Sequence, residues 1–438
     1  MKVKRITKNV QVVTLGCSKN LVDSEVLMRQ LEGDGFKIMP DPTDESVNIV
    51  IINTCGFIND AKEESIETIL RYAKARKSHK IENLFVMGCL SQRYKKELTD
   101  EIHEVDGFFG VAELPQILKA VGAEYKKELL GERHLTTPSH FAYLKISEGC
   151  DRTCSFCAIP LIRGKHQSKT IGAIVEEAGF LASKGVKELL LIAQDLTYYG
   201  LDIYKKRSLS LLLQELVKIE GIDWIRLHYA YPAAFPEDIL EIMASDTKIC
   251  KYLDIPLQHI SDRILKSMHR NHDAAQTRQL ITKIREQIPG IALRTTMIVG
   301  YPGETESEFE ELKKFIVEEK FDRLGVFTYS PEENTAAFGL PDDISDEIKQ
   351  QRANELMEIQ EQISMDLNQK RVGEKLKVII DRQEGGFWVG RSQFDSPEVD
   401  NEILIPEINQ LVCGDFYTVK ITRAEAFDLF GEIYSSIG

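Results

Sequence analysis

The chain has 438 residues, which is enough for two or three domains with substantial hydrophobic cores. Its 55 Lys and Arg stand against 69 Asp and Glu, and the net charge of −14 disfavours a large non-specific nucleic-acid surface, so nucleic acid is not expected to be required. No run of 18 apolar residues occurs and no hydrophobic signal follows the first residues, so the sequence predicts a cytoplasmic protein without membrane contact.

The first part of the chain, residues 8–125, predicts a domain of alternating strands and helices. Short apolar, β-branched runs predict strands at residues 11–16, 47–54, 83–88 and 105–110. Helical spacing of apolar residues predicts helices at residues 20–31, 59–75, 91–103 and 114–121. Repeated βα units imply a parallel α/β sheet with helices on its faces.

Three dispersed cysteines follow directly on predicted strands of this domain, namely Cys17, Cys55 and Cys89. Ligands of open α/β sheets bind outside the carboxyl ends of the strands, so the fold can bring these three thiols to one site. The alternative is three buried core thiols, because cysteine is among the most buried residue types. That alternative does not explain why the same strand-end position recurs three times.

Residues 136–367 predict a second domain built from βα repeats. Strands are predicted at residues 141–147, 187–193, 223–228, 251–255, 291–299 and 323–329. Helices are predicted between them at residues 171–183, 209–219, 275–287 and 306–319. Six such repeats indicate an incomplete TIM-like (β/α)6 barrel, whose active site is expected at the carboxyl face of the strands.

A compact set of cysteines follows the first strand of this second domain. Cys150, Cys154 and Cys157 have the spacing C-x3-C-x2-C, and the next cysteine is Cys250. Full protein ligation of a 4Fe–4S cluster takes four cysteines, so three would leave one iron open for another ligand. A structural zinc site usually takes four protein ligands, which disfavours but leaves open a non-catalytic zinc- or RNA-binding protein.

The last part of the chain, residues 368–438, follows a predicted helix at residues 345–369 and predicts a small five-stranded OB-like barrel. Strands are predicted at residues 374–382, 387–391, 416–423 and 427–434. Residues 366–438 contain 8 Lys or Arg against 13 Asp or Glu, which favours a basic protein partner over a nucleic acid. Four acids are predicted to steer that partner, namely Asp395, Glu398, Asp400 and Glu402. A barrel that merely packs on the other domains is the alternative.

Several motifs together resemble a known family. The C-x3-C-x2-C loop, with Phe156 before its last cysteine, resembles the radical S-adenosylmethionine superfamily. The stretches LGCSKN (15–20), NTCGFI (53–58), GCLSQR (88–93) and SEGC (147–150) resemble the methylthiotransferases of that superfamily. AKEES (61–65), CAIP (157–160) and HYAYP (228–232) resemble the branch that modifies a ribosomal-protein aspartate, whereas the tRNA-modifying branch usually has other residues after the second and sixth cysteines.

This resemblance implies an N-terminal methylthiotransferase domain, a radical core and a C-terminal TRAM barrel. It implies two 4Fe–4S clusters, one on Cys17, Cys55 and Cys89 and one on the loop cysteines. S-adenosylmethionine would serve both as methyl donor and as source of a 5′-deoxyadenosyl radical, because the β-carbon of an aspartate carries no C–H that an ordinary base can deprotonate. The implied substrate is small-subunit ribosomal protein twelve, and the implied reductant is a protein such as flavodoxin. The alternative within the family is a tRNA adenosine methylthiotransferase.

Further residues are predicted to contact S-adenosylmethionine. Residues 298–304, IVGYPGE, resemble the superfamily's G-x-I-x-G-x-x-E strand and so nominate Ile298, Gly300 and Glu304, although Thr296 replaces a glycine of that pattern and Glu304 falls one place late. An ordinary strand-to-helix turn is the alternative. Gln194 and Asp195 close a predicted strand and are expected to reach the ribose or methionine moiety, Arg294 is a further candidate, and Phe156 is expected to pack over the cluster or the adenine. No catalytic side chain beyond the cluster ligands is predicted.

Overall fold

The computed structural model describes residues 8–40, 47–408 and 410–436. The chain divides into two compact units. Of the described residues, the first comprises those up to Thr136 together with Glu148–Arg152 and Cys157–Gln167, and the second comprises Thr137–Ser147, Thr153–Phe156 and those from Ser168 onward. The domain limits predicted from the sequence stay predictions. None of the described helices combines the length and apolar character that a membrane crossing demands.

The first unit contains a parallel sheet whose described strands have the order β2-β1-β3-β4-β5. The strands are β1 (Asn9–Thr14), β2 (Lys37–Ile38), β3 (Ile49–Thr54), β4 (Asn83–Gly88) and β5 (Gly107–Phe109). The helices are α1 (Ser18–Gly33), α2 (Asn59–Lys77), α3 (Cys89–Glu101), α4 (Leu114–Val121) and, after the second cysteine loop, α5 (Ile159–Arg163). Successive residues of β3 enter two different cores: Val50 and Ile52 belong to one apolar cluster, and Ile49 and Ile51 to the other. This alternation is expected of a strand covered on both faces.

The second unit contains an open sheet of parallel strands in the order β13-β12-β11-β10-β9-β6 among the described residues. Its strands are β6 (Phe141–Lys145), β9 (Glu188–Ile192), β10 (Trp224–Leu227), β11 (Ile249–Asp254), β12 (Ala292–Val299) and β13 (Arg323–Thr328). Outside this sheet, the two-residue strands β7 (Ser147–Glu148) and β8 (Gln167–Ser168) pair with each other. Its helices are α6 (Ile171–Ser183), α7 (Leu201–Tyr204), α8 (Leu209–Leu216), α9 (Asp238–Ser245), α10 (Asp262–Ser267), α11 (Ala274–Gln287), α12 (Glu306–Glu319) and α13 (Asp346–Lys370). Strands that follow one another lie side by side, and the sheet does not close, which confirms the predicted incomplete barrel.

The C-terminal strands form a closed barrel in the same unit, which confirms the predicted OB-like fold. They are β14 (Lys375–Glu384), β15 (Phe387–Ser392), β16 (Glu402–Pro406), β17 (Phe416–Ala424) and β18 (Asp428–Ser436). The turn between β14 and β15 is made by Gly385 and Gly386, both of which have positive φ angles of 60° and 84°. Two successive left-handed residues are what a tight hairpin turn between twisted strands requires.

Buried charges join this barrel to the open sheet. Glu188 at the start of β9 binds Arg226 of β10 (Nε to Oε1, 2.8 Å) and Arg391 of β15 (Nη2 to Oε2, 2.8 Å). Arg391 also binds Asp381 of β14 (2.6 Å), which in turn contacts His140 (2.7 Å). Burial by itself raises the pKa of a carboxyl group, but the attraction of Arg391 and Arg226 outweighs it and holds the pKa of Glu188 below its ordinary value of 4.5.

Replacing Glu188 by Gln is expected to lower the free energy of unfolding by about 3–5 kcal/mol, because two buried guanidinium groups would lose their shared carboxylate. Urea unfolding at neutral pH measures the loss. Since the folded-state pKa is lowered, the stabilisation by Glu188 is complete above the ordinary pKa and disappears as the pH falls toward the lowered value. The control is Glu82→Gln, which breaks a surface ion pair with Lys8 and should leave unfolding nearly unchanged. Equal effects of the two substitutions would contradict the assigned importance of the buried network.

The four acids predicted to steer a basic partner are not a group of unpaired surface charges. Each has a partner within the second unit: Asp395 binds Arg323, Asp400 binds Arg294 (3.3 Å), Glu398 accepts a hydrogen bond from Tyr143 (3.0 Å), and Glu402 binds Arg382 (2.6 Å). The side chains of Asp395 and Asp400 are buried. Three of the four acids thus face an arginine and Glu398 faces a neutral hydroxyl, so the steering of a basic partner by this group stays a prediction.

Candidate active site with two cysteine sets

The three dispersed cysteines lie at one edge of the N-terminal sheet. Cys17 precedes α1 as its N-cap, Cys55 directly follows β3, and Cys89 directly follows β4 as the first residue of α3. The strands β1, β3 and β4 are parallel neighbours, so their carboxyl ends point the same way. Cys17 is exposed, whereas Cys55 and Cys89 are buried. The arrangement offers two fixed sulfurs and one that solvent can reach.

Close backbone packing holds this edge together. Gly16 has a φ angle of +87°, and a β-carbon added there would lie 2.6 Å from Cβ of Cys55. A β-carbon added to Gly56 would lie 2.6 Å from the backbone nitrogen of Leu90. Only glycine fits at either position, because any larger residue would push the cysteine loops apart.

Burial and mutual repulsion make the buried thiols of this set weak acids. Burial raises the pKa of Cys89 to about 12, against the lowering effect of Arg163, and Cys17 and Cys55 raise it further. Burial likewise raises the pKa of Cys55, and Cys17 adds to the shift. Two such thiols would ionise when positively charged iron binds them, since a coordinating thiol is deprotonated outright.

The donor set fits an iron–sulfur cluster. In the part of the chain that the structure describes, no three His, Cys, Asp or Glu side chains are close enough to share a single metal ion. A 4Fe–4S cluster distributes its cysteine ligands over separate irons, so wider spacing of the sulfurs suits it. Cys17, Cys55 and Cys89 are near enough to influence one another electrostatically. These residues would hold the cluster.

The cysteines of the second set are divided between the two compact units: Cys150 and Cys157 belong to the first and Cys154 to the second. In the first unit, the Cys150 amide donates to the Gly164 carbonyl (3.1 Å), and the Arg152 amide donates to the Cys150 sulfur (3.4 Å). In the second unit, Arg270 donates from Nη1 to the Cys154 sulfur (3.6 Å), and its guanidinium lies 4.3 Å from the centre of the Tyr231 ring. Such donors stabilise thiolate sulfur and therefore suit a cluster ligand.

The predicted residues Phe156 and Ile298 belong to one apolar cluster. They pack at the edge of a core formed by Ile264, Met268, Tyr301, Tyr329 and Ala337. The preceding residue, Ser155, is fixed by its amide donating to the Met268 carbonyl (3.0 Å) and by its hydroxyl at 2.9 Å from that of Tyr301. The contact of Phe156 and Ile298 with a cofactor stays a prediction.

Glu304 is a buried junction of hydrogen bonds. Its carboxylate accepts from His259 Nε2 (3.0 Å), from Arg352 Nη1 (2.8 Å) and from the Gly300 amide. His259 accepts the Ser261 amide at Nδ1 (3.0 Å), so its proton lies on Nε2 and faces Glu304. These partners all belong to the protein, and the predicted contacts of Gly300 and Glu304 with S-adenosylmethionine stay predictions.

The remaining predicted contacts also have internal partners. Asp195 accepts hydrogen bonds from the amide (2.8 Å) and hydroxyl (2.6 Å) of Thr197 and so begins the short 3-10 helix at residues 196–198. Gln194, after β9, is half-buried. Arg294 forms ion pairs with Asp254 (3.5 Å) and Asp400 (3.3 Å). Their cofactor roles stay predictions.

Sequence reasoning missed two arginines that contact cysteine sulfur, Arg163 and Arg270. Arg163 lies six residues after Cys157, in the helix that the cysteine loop leads into. That proximity was the available signal. Arg270 lies far from every cysteine of the loop along the chain, so only the fold brings it to Cys154.

Three family descriptions match successive parts of the chain: "Uncharacterized protein family UPF0004" over residues 9–110, "Radical SAM superfamily" over residues 144–316 and "TRAM domain" over residues 372–433. Among curated relatives, "Ribosomal protein uS12 methylthiotransferase RimO" of Flavobacterium psychrophilum is 59% identical over 434 residues, covering 99% of this chain and 100% of that protein. The protein of the same description from Cytophaga hutchinsonii is 57% identical over 435 residues, with coverage of 99% and 100%. That from Phocaeicola vulgatus is 54% identical over 426 residues, with coverage of 97% and 99%.

Solved structures resemble the fold at low identity. The radical S-adenosylmethionine methyltransferase TsrM from Kitasatospora setae, solved with cobalamin and a [4Fe-4S] cluster, gives a TM-score of 0.55 at 14% identity and covers 93% of this chain and 84% of its own. The cobalamin-dependent S-adenosylmethionine radical enzyme OxsB gives 0.51 at 12% identity, with coverage of 82% and 56%. At these identities the likeness concerns the fold alone.

Proposed function

Because the chain belongs to the RimO family of radical S-adenosylmethionine methylthiotransferases, we propose that it attaches a methylthio group to the β-carbon of an aspartate in ribosomal protein uS12. It is an enzyme, which rules out the non-catalytic zinc- or RNA-binding alternative. S-adenosylmethionine supplies both the methyl group and the 5′-deoxyadenosyl radical, and the sulfur is delivered at a second iron–sulfur cluster. The full-length similarity to proteins described as uS12 methylthiotransferases supports this substrate.

The observation that carries the proposal is the set of Cys17, Cys55 and Cys89 at one sheet edge, in addition to the C-x3-C-x2-C loop. When bound, a 4Fe–4S cluster with an open iron supplies an electron and a coordination position for a small ligand. A cluster on the C-x3-C-x2-C loop would account for radical formation. A second cluster, on Cys17, Cys55 and Cys89, would account for the delivery of sulfur to a carbon radical.

Some residues of this chain hold a bound group, and others set the charge around its sulfur ligands. Cys55 and Cys89 anchor a ligand from the buried side, while the exposed Cys17 marks the side from which a second substrate arrives. At the loop, the positively charged guanidinium group of Arg270 donates a hydrogen bond to the Cys154 sulfur. The abstracted hydrogen is bound to an unactivated carbon, so the protein contributes position and exclusion of water rather than a general base.

Two partners complete the proposal. Protein uS12 is the substrate, and a reductant protein such as flavodoxin supplies electrons. The TRAM barrel is a further surface for substrate contact.

The proposal is tested by incubating the anaerobically reconstituted enzyme with S-adenosylmethionine, reductant and purified uS12. We expect the mass of uS12 to rise by one methylthio group in place of one hydrogen, and fragmentation to place it on one aspartate. A parallel reaction with tRNA is the control and should give no modified adenosine. Methylthiolated tRNA with unmodified uS12 would overturn the proposal.

A further inference from the structure

Arg163, near the end of α5, is a buried residue whose guanidinium connects four segments of the first unit. Nη1 lies 3.1 Å from Asp23 Oδ2 and 2.9 Å from Glu148 Oε1. Nη2 donates to Asn20 Oδ1 (2.5 Å) and to the Cys89 sulfur (3.6 Å). Only 2% of its side-chain surface is exposed. A buried cation with two carboxylate partners is held in one orientation.

These contacts lie beside the cysteines in the sequence. Glu148 is two residues before Cys150, and Asn20 is three residues after Cys17. Asn20 also donates from Nδ2 to the carbonyls of Leu15 (2.9 Å) and Thr54 (3.1 Å), which flank Cys17 and Cys55. Arg163 therefore acts on the N-terminal cysteine edge both directly and through Asn20.

Apolar packing fixes the same helix against the same cysteine. Ala158 and Ile162 of the segment around α5 share a small core with Cys89, and Val111 packs on its edge. The guanidinium of Arg163 is thus placed by packing as well as by ion pairs, so its distance from the Cys89 sulfur is well defined.

We infer that Arg163 is a positioning residue that holds the N-terminal cysteine set in place and raises the reduction potential of the cluster bound there. This inference rests on the proposed second cluster. A cation that donates a hydrogen bond to a ligand sulfur stabilises the more negative, reduced state of the bound group. Loss of that cation should make reduction harder and shift the midpoint potential to a more negative value.

The test compares Arg163→Met and Arg163→Lys in full-length protein carrying alanine at Cys150, Cys154 and Cys157, so that only the N-terminal cluster contributes a signal. The matched control is Arg133→Met. Arg133 is also buried in the first unit, where it pairs with Glu25 of α1 (3.4 Å). Iron content and an anaerobic redox titration followed by electron paramagnetic resonance are measured for each protein.

We expect a negative shift of the midpoint potential for Arg163→Met, a smaller shift for Arg163→Lys, which keeps the charge, and none for Arg133→Met. An unchanged potential in an iron-loaded Arg163→Met protein, or an equal shift in the Arg133 control, would overturn the inference. If Arg163→Met does not fold, Arg163→Gln, which keeps a polar side chain without the charge, takes its place. Absence of iron in the parent protein with Arg163 intact would instead overturn the proposed second cluster.

Discussion

A Cys154→Ala protein is expected to form no 5′-deoxyadenosine from S-adenosylmethionine in the presence of a strong reductant. The loop supplies three cysteines, and removal of one leaves two thiolates for a cluster that already has fewer protein ligands than the usual four. The substitution also removes the sulfur to which Arg270 donates. Chromatography of the quenched reaction measures the product. Methyl transfer at the N-terminal site is expected to survive, since that step needs no radical.

Cys250→Ala is the matched control for this loss. Cys250 is buried in β11, and burial raises the pKa of its thiol to about 12, so it remains a protonated core residue. The control should form 5′-deoxyadenosine at the wild-type rate if it folds. A normal yield from the Cys154→Ala protein would show that the C-x3-C-x2-C loop is not the radical site.

Simultaneous replacement of Cys17, Cys55 and Cys89 by alanine is expected to abolish methylthiolation of uS12 and to halve the iron content. Cleavage of S-adenosylmethionine to 5′-deoxyadenosine should persist, because the loop cysteines are untouched. Iron analysis and product analysis on the same reconstituted sample check both parts of this expectation.

The comparison protein is Cys413→Ala, in which an exposed cysteine of the C-terminal barrel region is removed. It should keep full iron content and full activity. Loss of all iron, or of all 5′-deoxyadenosine, from the triple variant would mean that the two cysteine sets do not act as separate sites.

Much of the fold was predictable because local patterns and packing agree. The bounds of β4, α4, α6 and α12 are those predicted from apolar runs and helical spacing. Four strands had no prediction of their own: β2, β7 and β8 have two residues each, too few to show a period, and the apolar run in β16 shows no alternation. Strand β16 also pairs in parallel with β18, a long-range contact that no local signal reports.

The candidate site was predictable only where chain order fixes position. Cysteines that end neighbouring parallel strands must share an edge, so their meeting follows from the βα pattern. The partners of buried charges do not follow from any pattern. Arg163 contacts Cys89 although 74 positions separate them along the chain, and Asp395 contacts Arg323 at a separation of 72 positions. For the same reason, the number of acids in the barrel does not predict which of them pair with arginines.

The ion pairs between the open sheet and the C-terminal barrel restrict how these modules can be exchanged. Glu188 and Arg226 belong to the sheet, while their partner Arg391 and its neighbour Asp381 belong to the barrel. A chimera that takes the barrel from a protein lacking these charges would leave a carboxylate and a guanidinium facing apolar atoms. A stable chimera within the family therefore has to take the charged residues of the sheet and those of the barrel from the same parent. In this respect the barrel behaves as part of the core of the second unit and not as a separately exchangeable domain.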